Sequence, residues 1–162
     1  MSTTFAEVLG AHGITIPDET LAELEVPVLT GPQRQGDVAV FPRGRNGEVA
    51  VLDERGQPVV IGPLTAGEVK LAKLVPSEGI AVVRGEATGN THLLHAAGDC
   101  RWLEKGAALG GDSVLLGVLE VGDGAECFLI HTDEHGANGI GPGTYRLHGK
   151  REQADEIRRV QD

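Results

Sequence analysis

Aromatic side chains are scarce in this chain: one Trp, one Tyr and three Phe among 162 residues. Few are left for a surface on which sugars or bases stack, and the core must be built mainly from Val, Leu and Ile. Cysteine is limited to Cys100 and Cys127. Two cysteines make no disulfide scaffold at this length, and both are expected as reduced, mostly buried thiols. Positive charge is also short, with 14 basic residues against 24 acidic ones, so 14 − 24 gives −10. Residues 1–80 contribute 6 − 11 and residues 81–162 contribute 8 − 13, so each half carries −5. With no basic face or arm, nucleic acid and anionic membrane surfaces are disfavoured as partners. No apolar run approaches the ~20 residues of a membrane helix. The first residues, Met1 to Glu7, lack the basic and apolar regions of a secretion signal, so a cytoplasmic protein is expected.

Glycine is abundant, at 24 residues. Because glycine is costly inside helices, a helical bundle is improbable. Helical signals are confined to the start of the chain. Thr4 with Glu7 three residues on has capping-box spacing and predicts a helix over 4–12, with Phe5, Val8 and Leu9 on one face and Gly13 as its stop. Pro17-Asp18-Glu19 reads as the first turn of a second helix, with Leu21 and Leu24 sharing a face and an end before Pro27.

From about residue 26 short β-branched runs alternate with turn residues. Strands are predicted over 26–30, 37–41, 80–83, 91–95, 113–121, 125–131 and 144–148. Residues 48–52 and 58–61 flank Asp53-Glu54-Arg55-Gly56-Gln57 as a hairpin. Gly122-Asp123-Gly124 marks a turn that makes 113–131 a hairpin candidate, and 132–143, with four glycines and a proline, reads as a loop. Residues 66–74 fit either period, and 151–160 have helix-forming composition with only Ile157 and Val160 to bury. Eight to ten short strands imply an all-β fold, mainly an antiparallel β-sandwich or barrel, with short N-terminal helices and a C-terminal helical tail. The expected organisation is a helical segment at 1–25, a β-rich domain at 26–150 with a point of subdivision near 63–76, and a tail at 151–162.

Five of the six histidines lie between residues 92 and 148: His92, His95, His131, His135 and His148. On a strand His92 and His95 point to opposite faces, so only one of them can enter a given pocket. His131, at the end of its strand, is placed to meet His92 from a neighbour. Imidazole with carboxylate is a usual ligand set for a divalent transition metal, and His92, His131, His135 and Glu86 are the candidate ligands. Gly85 to His92 and the later Gly141-Pro142-Gly143 leading to His148 resemble a cupin loosely, but Asn90 stands where the first histidine of the His-x-His pair would be. The plainer alternative is that these are polar face residues bonded to strand ends. Nothing else supplies a catalytic set. Cys127 falls in an apolar strand, and Cys100 reads as a turn residue whose pKa Asp99 would raise. Ser77 and Ser113 lack a nucleophile elbow, and Gly106 to Gly111 lacks the Lys and Ser/Thr of a phosphate loop.

Gly85-Glu86-x-Thr88-Gly89-x-x-His92, then Pro142-Gly143-Thr144-Tyr145 and an Arg151-Glu152 tail, resemble a group of small β-rich proteins of bacteria and actinophages without assigned function, over about residues 80–162. That resemblance implies a small β-rich fold and no particular reaction. The expectation is a non-enzymatic β-rich binding or assembly module with no catalytic residues and no cofactor, acting through protein partners or self-association as a homo-oligomer. It would be a structural component of a larger particle, and its location would be the virion if it is phage-encoded. The alternative is a cupin-like protein holding a divalent transition metal through His92 and His131 or His135.

Overall fold

The computed structural model describes residues 3–43, 49–52, 58–60, 62–83, 91–110, 113–132 and 136–150. The chain begins with α1 (Phe5–Gly10) and α2 (Glu19–Glu23), followed by β1 (Val28–Leu29), β2 (Gln33–Gln35), β3 (Val38–Pro42), β4 (Val49–Leu52) and β5 (Pro58–Val60). Next come α3 (Ala66–Leu71), β6 (Lys73–Leu74), β7 (Ile80–Val83), β8 (His92–Ala97), β9 (Cys100–Gly110), β10 (Ser113–Val121), β11 (Glu126–His131), β12 (Gly136–Ile140) and β13 (Gly143–Lys150).

The helix starts follow local chemistry. Thr4 caps α1, its hydroxyl oxygen accepting from the Glu7 N–H at 3.2 Å. Gly13, at φ +73, lets the chain turn so that Ile14 N–H reaches the Leu9 carbonyl at 3.0 Å. Asp18 caps α2 from outside the helix, and Leu24 has already become extended, so Leu24 does not share the helix face expected for it and lies exposed. The ambiguous stretch 66–74 is both things in turn. A capping box between Thr65 and Glu68 starts α3, and β6 follows after Ala72. Buried Arg43 holds α3 to the sheet through two bonds to the Glu68 carboxylate, at 3.0 and 2.8 Å.

The strands form two main sheets. One has the order β1-β12-β11-β8-β7, the other β2-β3-β13-β10-β9-β6, and β4–β5 is a separate ribbon. Among the described residues neither main sheet closes on itself, so the architecture is a sandwich and not a barrel. The predicted hairpin at 48–61 is present, with its connection 53–57 outside the described residues. The expected tail at 151–162 also lies outside them.

Three expectations are corrected. The run 113–131 is not a hairpin: β10 pairs with β9 and β13, whereas β11 pairs with β8 and β12 in the other sheet. Gly122 to Ala125 therefore carries the chain across the sandwich. The glycine-rich stretch 132–143 is not one loop, because 136–140 is β12, an inner strand. Gly139 serves close approach: a Cβ there would lie 2.5 Å from the Pro27 carbonyl oxygen of the adjacent parallel strand. Cys100 likewise starts β9 and does not sit in a turn.

The main core lies between the sheets and includes Val38, Val40, Leu94, Trp102, Leu119, Cys127, Leu129 and Tyr145. Outer faces are covered as well. Phe128 and Ile130 of β11 pack under Val8 and Leu9 of α1, which explains why β11 is apolar at nearly every position. In β10 a bulge between Leu115 and Gly117 switches the inward set from Val114 and Leu116 to Leu119 and Val121. Val118 then faces outward against Leu64 and Leu103.

Candidate functional site

The strand alternation that turns Leu94 and Leu129 inward also turns His92 and His131 inward, at the end of the sandwich interior. The two histidines are cross-strand partners. Their rings stack with centroids 4.3 Å apart and planes within 5°. His92 is fully buried and His131 nearly so. Gln35, at the end of β2, closes over them, with Oε1 2.8 Å from His92 Nδ1. Gln35 Nε2 donates to the Leu129 carbonyl at 2.7 Å and to Asn138 Oδ1 at 2.9 Å. A backbone carbonyl only accepts, so the amide orientation is fixed and His92 Nδ1 must carry the proton. Asn138 Nδ2 donates in turn to Gln33 Oε1 at 3.3 Å, and Gln33 Nε2 to the Gly139 carbonyl at 2.8 Å. These amides stitch an edge strand of one sheet to inner strands of the other. Burial lowers the His92 pKa to about 4; the neighbouring His131 adds to this and Asp37 opposes it. The imidazole is therefore neutral at pH 7.

The structure thus brings His92 and His131 together, while His135, Glu86 and Asn90 lie outside the described residues. An imidazole lone pair lies in its ring plane, so parallel stacked rings aim their lone pairs side by side and not at a common point ~2 Å from both. Among the described residues no group of three or more His, Cys, Asp or Glu is gathered to hold an ion. His95 points to the outer face of the same sheet, where its Nδ1 is 2.9 Å from His12 Nε2. Both of these histidines have lowered pKa values, chiefly from burial. His148 is on the other sheet, edge-on to Phe41 at 5.1 Å. The histidines clustered in sequence are thus divided among three places.

The two thiols meet across the core. Both are buried, and Cys100 Sγ lies 3.5 Å from the carbonyl oxygen of Glu126, next to Cys127. A hydrogen bond from Cys127 lowers the Cys100 pKa and outweighs the opposing effects of burial and Asp99. The same contact, reinforced by burial, raises Cys127. A thiol pair sealed in an apolar core has no room for a substrate.

Sequence reasoning passed over Gln33, Gln35 and Asn138, which organise the buried cluster. Only the unusual Gln33-Arg34-Gln35 triplet hinted at them. It also passed over the surface feature that stands out. Among the described residues six large aliphatic side chains are exposed, Leu24, Val28, Leu29, Val69, Leu71 and Leu74, and these fall within residues 24–29 or 69–74. The first group adjoins edge strand β1, and the second spans α3 and edge strand β6.

Fold and site define a two-sheet all-β sandwich domain with a polar plug of histidine and side-chain amides at one end of its interior. The chain belongs to the family described as Domain of unknown function (DUF8820), whose profile matches residues 34–150, from β2 through the end of β13. No curated protein and no solved structure matches it. No helix among the described residues is long and apolar enough to cross a membrane.

Proposed function

We propose that this domain is a non-enzymatic β-rich binding or assembly module that engages protein partners through its sheet edges, as a structural component of a larger particle such as a phage virion. The observation that carries this reading is that, among the described residues, the six exposed large aliphatic side chains lie at two edge regions. Apolar groups concentrated beside unpaired strand edges favour addition of another chain. His92 and His131 are instead turned inward, where His92 is held by Gln35. A photo-crosslinking residue at position 29 or 71, introduced into the protein in its native cell, should capture a protein chain. The same residue at exposed Asp123, in the turn between the sheets, should not. Absence of crosslinks at both edges would overturn the proposal.

The alternative, a cupin-like divalent transition-metal site, has the nearness of His92 and His131 in its favour, and would require their stacked rings to turn so that their lone pairs converge. Stoichiometric metal in protein purified without a histidine tag, lost in His92→Ala, would establish it in place of the first reading.

A further inference from the structure

The two apolar edges differ in charge. Around Leu24, Val28 and Leu29 the exposed ionisable residues are Glu19, Glu23 and Glu25, and the next base along the chain is Arg34 of β2. Around Val69, Leu71 and Leu74 stand exposed Lys70 and Lys73, with Arg101 beside Leu74 in register. Glu68 is there too but is committed to Arg43. Glu120, the register partner of Arg101, accepts from the Leu64 N–H at 3.2 Å. Exposed Glu104 lies on β9 two residues beyond Trp102, the partner of Lys73, and the next exposed acid along the chain is Glu78. On a chain of net charge −10, two lysines beside three exposed aliphatics form a local reversal of sign.

The edges also lie on opposite sides of the sandwich. β1 borders β12, which the Gln33 and Gln35 amides tie to β2, so β1 and β2 share one side. β7 and β6 end the two sheets on the other side, joined by the short connection 75–79. Each edge has backbone groups directed outward. Pro27 and Leu29 accept from Gly139 and Gly141 at 3.1 and 2.9 Å, so Val28 between them directs its N–H and C=O away from β12. Val75 N–H donates to the Cys100 carbonyl at 2.9 Å, so Leu74 directs its own groups away from β9.

We propose that the domain assembles head to tail with further copies of itself, the acidic β1 edge of one copy against the basic α3–β6 edge of the next. This rests on the reading of the sheet edges as binding surfaces. A two-fold contact would set like charge on like charge at either edge, whereas the heterologous contact sets opposite charges around two apolar patches. Such a contact does not terminate in a dimer. It closes into a ring or continues as a filament.

Analytical ultracentrifugation of the full chain tests this. At low salt the mass should rise beyond a dimer with concentration, and added salt should weaken the association. The surface variants K70E/K73E and E23K/E25K, checked for native melting, should each sediment as monomers. Mixed in equal amounts they should regain at least a twofold increase in mass, because every contact between them again joins acid to base. A wild-type chain that stays monomeric overturns the proposal, as does a dimer that survives K70E/K73E, or a mixture that fails to associate. If the purified chain is monomeric while positions 29 and 71 crosslink to a different protein, self-assembly is wrong and the edge reading stands. If neither position crosslinks to anything, the edge reading itself is wrong.

Discussion

Acidifying the solution should unfold this domain in a window set by His92. Its folded pKa, about 4, lies below the ordinary 6.5 because the ring is buried and faces His131, with Asp37 opposing only in part. Between those two values the unfolded chain binds the proton more tightly, so His92 leaves stability intact above pH 6.5 and subtracts from it as the pH falls towards 4. The full difference is about 3 kcal/mol at ~1.4 kcal/mol per pH unit, and about 2 kcal/mol of it should be lost between pH 7 and 4.5. His12, His95 and His148 are lowered too, each mainly by burial, and act in the same direction. Glu68 acts later: its pKa is lowered to about 2, chiefly by hydrogen bonding to Arg43, so its contribution is present above 4.5 and is lost as pH falls from there. Urea unfolding followed by the fluorescence of buried Trp102, at pH 7 and 4.5, separates the terms. His92→Gln will be less stable at pH 7, but its loss on acidification should be about 2 kcal/mol smaller than that of wild type. Parallel losses in the two proteins would refute the assignment.

Gly139→Ala and Gly117→Ala should each cost about 1–3 kcal/mol in thermal or chemical unfolding. The new methyl would lie 2.5 Å from the Pro27 carbonyl oxygen in the first and 2.4 Å from the buried Trp102 ring in the second. Gln35→Leu should destabilise by about 2–4 kcal/mol in the same assay, because the His92 N–H and Leu129 carbonyl lose their partner inside the core. Glu68→Gln should flatten the acid limb below pH 4.5 that wild type shows, measured by the same urea series. A thiol reagent such as Ellman's should label neither cysteine in the native protein and both in urea, since both are buried.

What the sequence made legible was local. Thr4 and Glu7 announce α1 because a cap is settled within four residues, and the alternating Val-rich runs announce strands for the same reason. The sheet to which each strand belongs was not legible. Gly122-Asp123-Gly124 says that the chain turns, but the same residues serve a hairpin or a crossing between sheets, and the choice depends on which surface each strand must cover. Glycine misled twice in this way. At 136–140 it reads as loop composition, yet Gly139 is there because another backbone passes within contact distance. The placement of His131 beside His92 followed from strand geometry. The partner of His95 did not, since His12 lies 83 positions away on a segment that only tertiary packing brings over the sheet.

The alternation of hairpins between the layers bears on how this chain folds. β7–β8 belong to one sheet, β9–β10 to the other, β11–β12 to the first again, and β13 crosses back to pair with β3, joining Leu147 to Val40. Neither layer can be completed from neighbours in the chain, so local hairpins form early but gain their main stabilisation only when both layers meet. High contact order of this kind predicts refolding on the millisecond-to-second scale and a single cooperative transition. Losing β13 alone would part β3 from β10 in the middle of a sheet, so a nascent chain should stay unfolded until Lys150 has emerged.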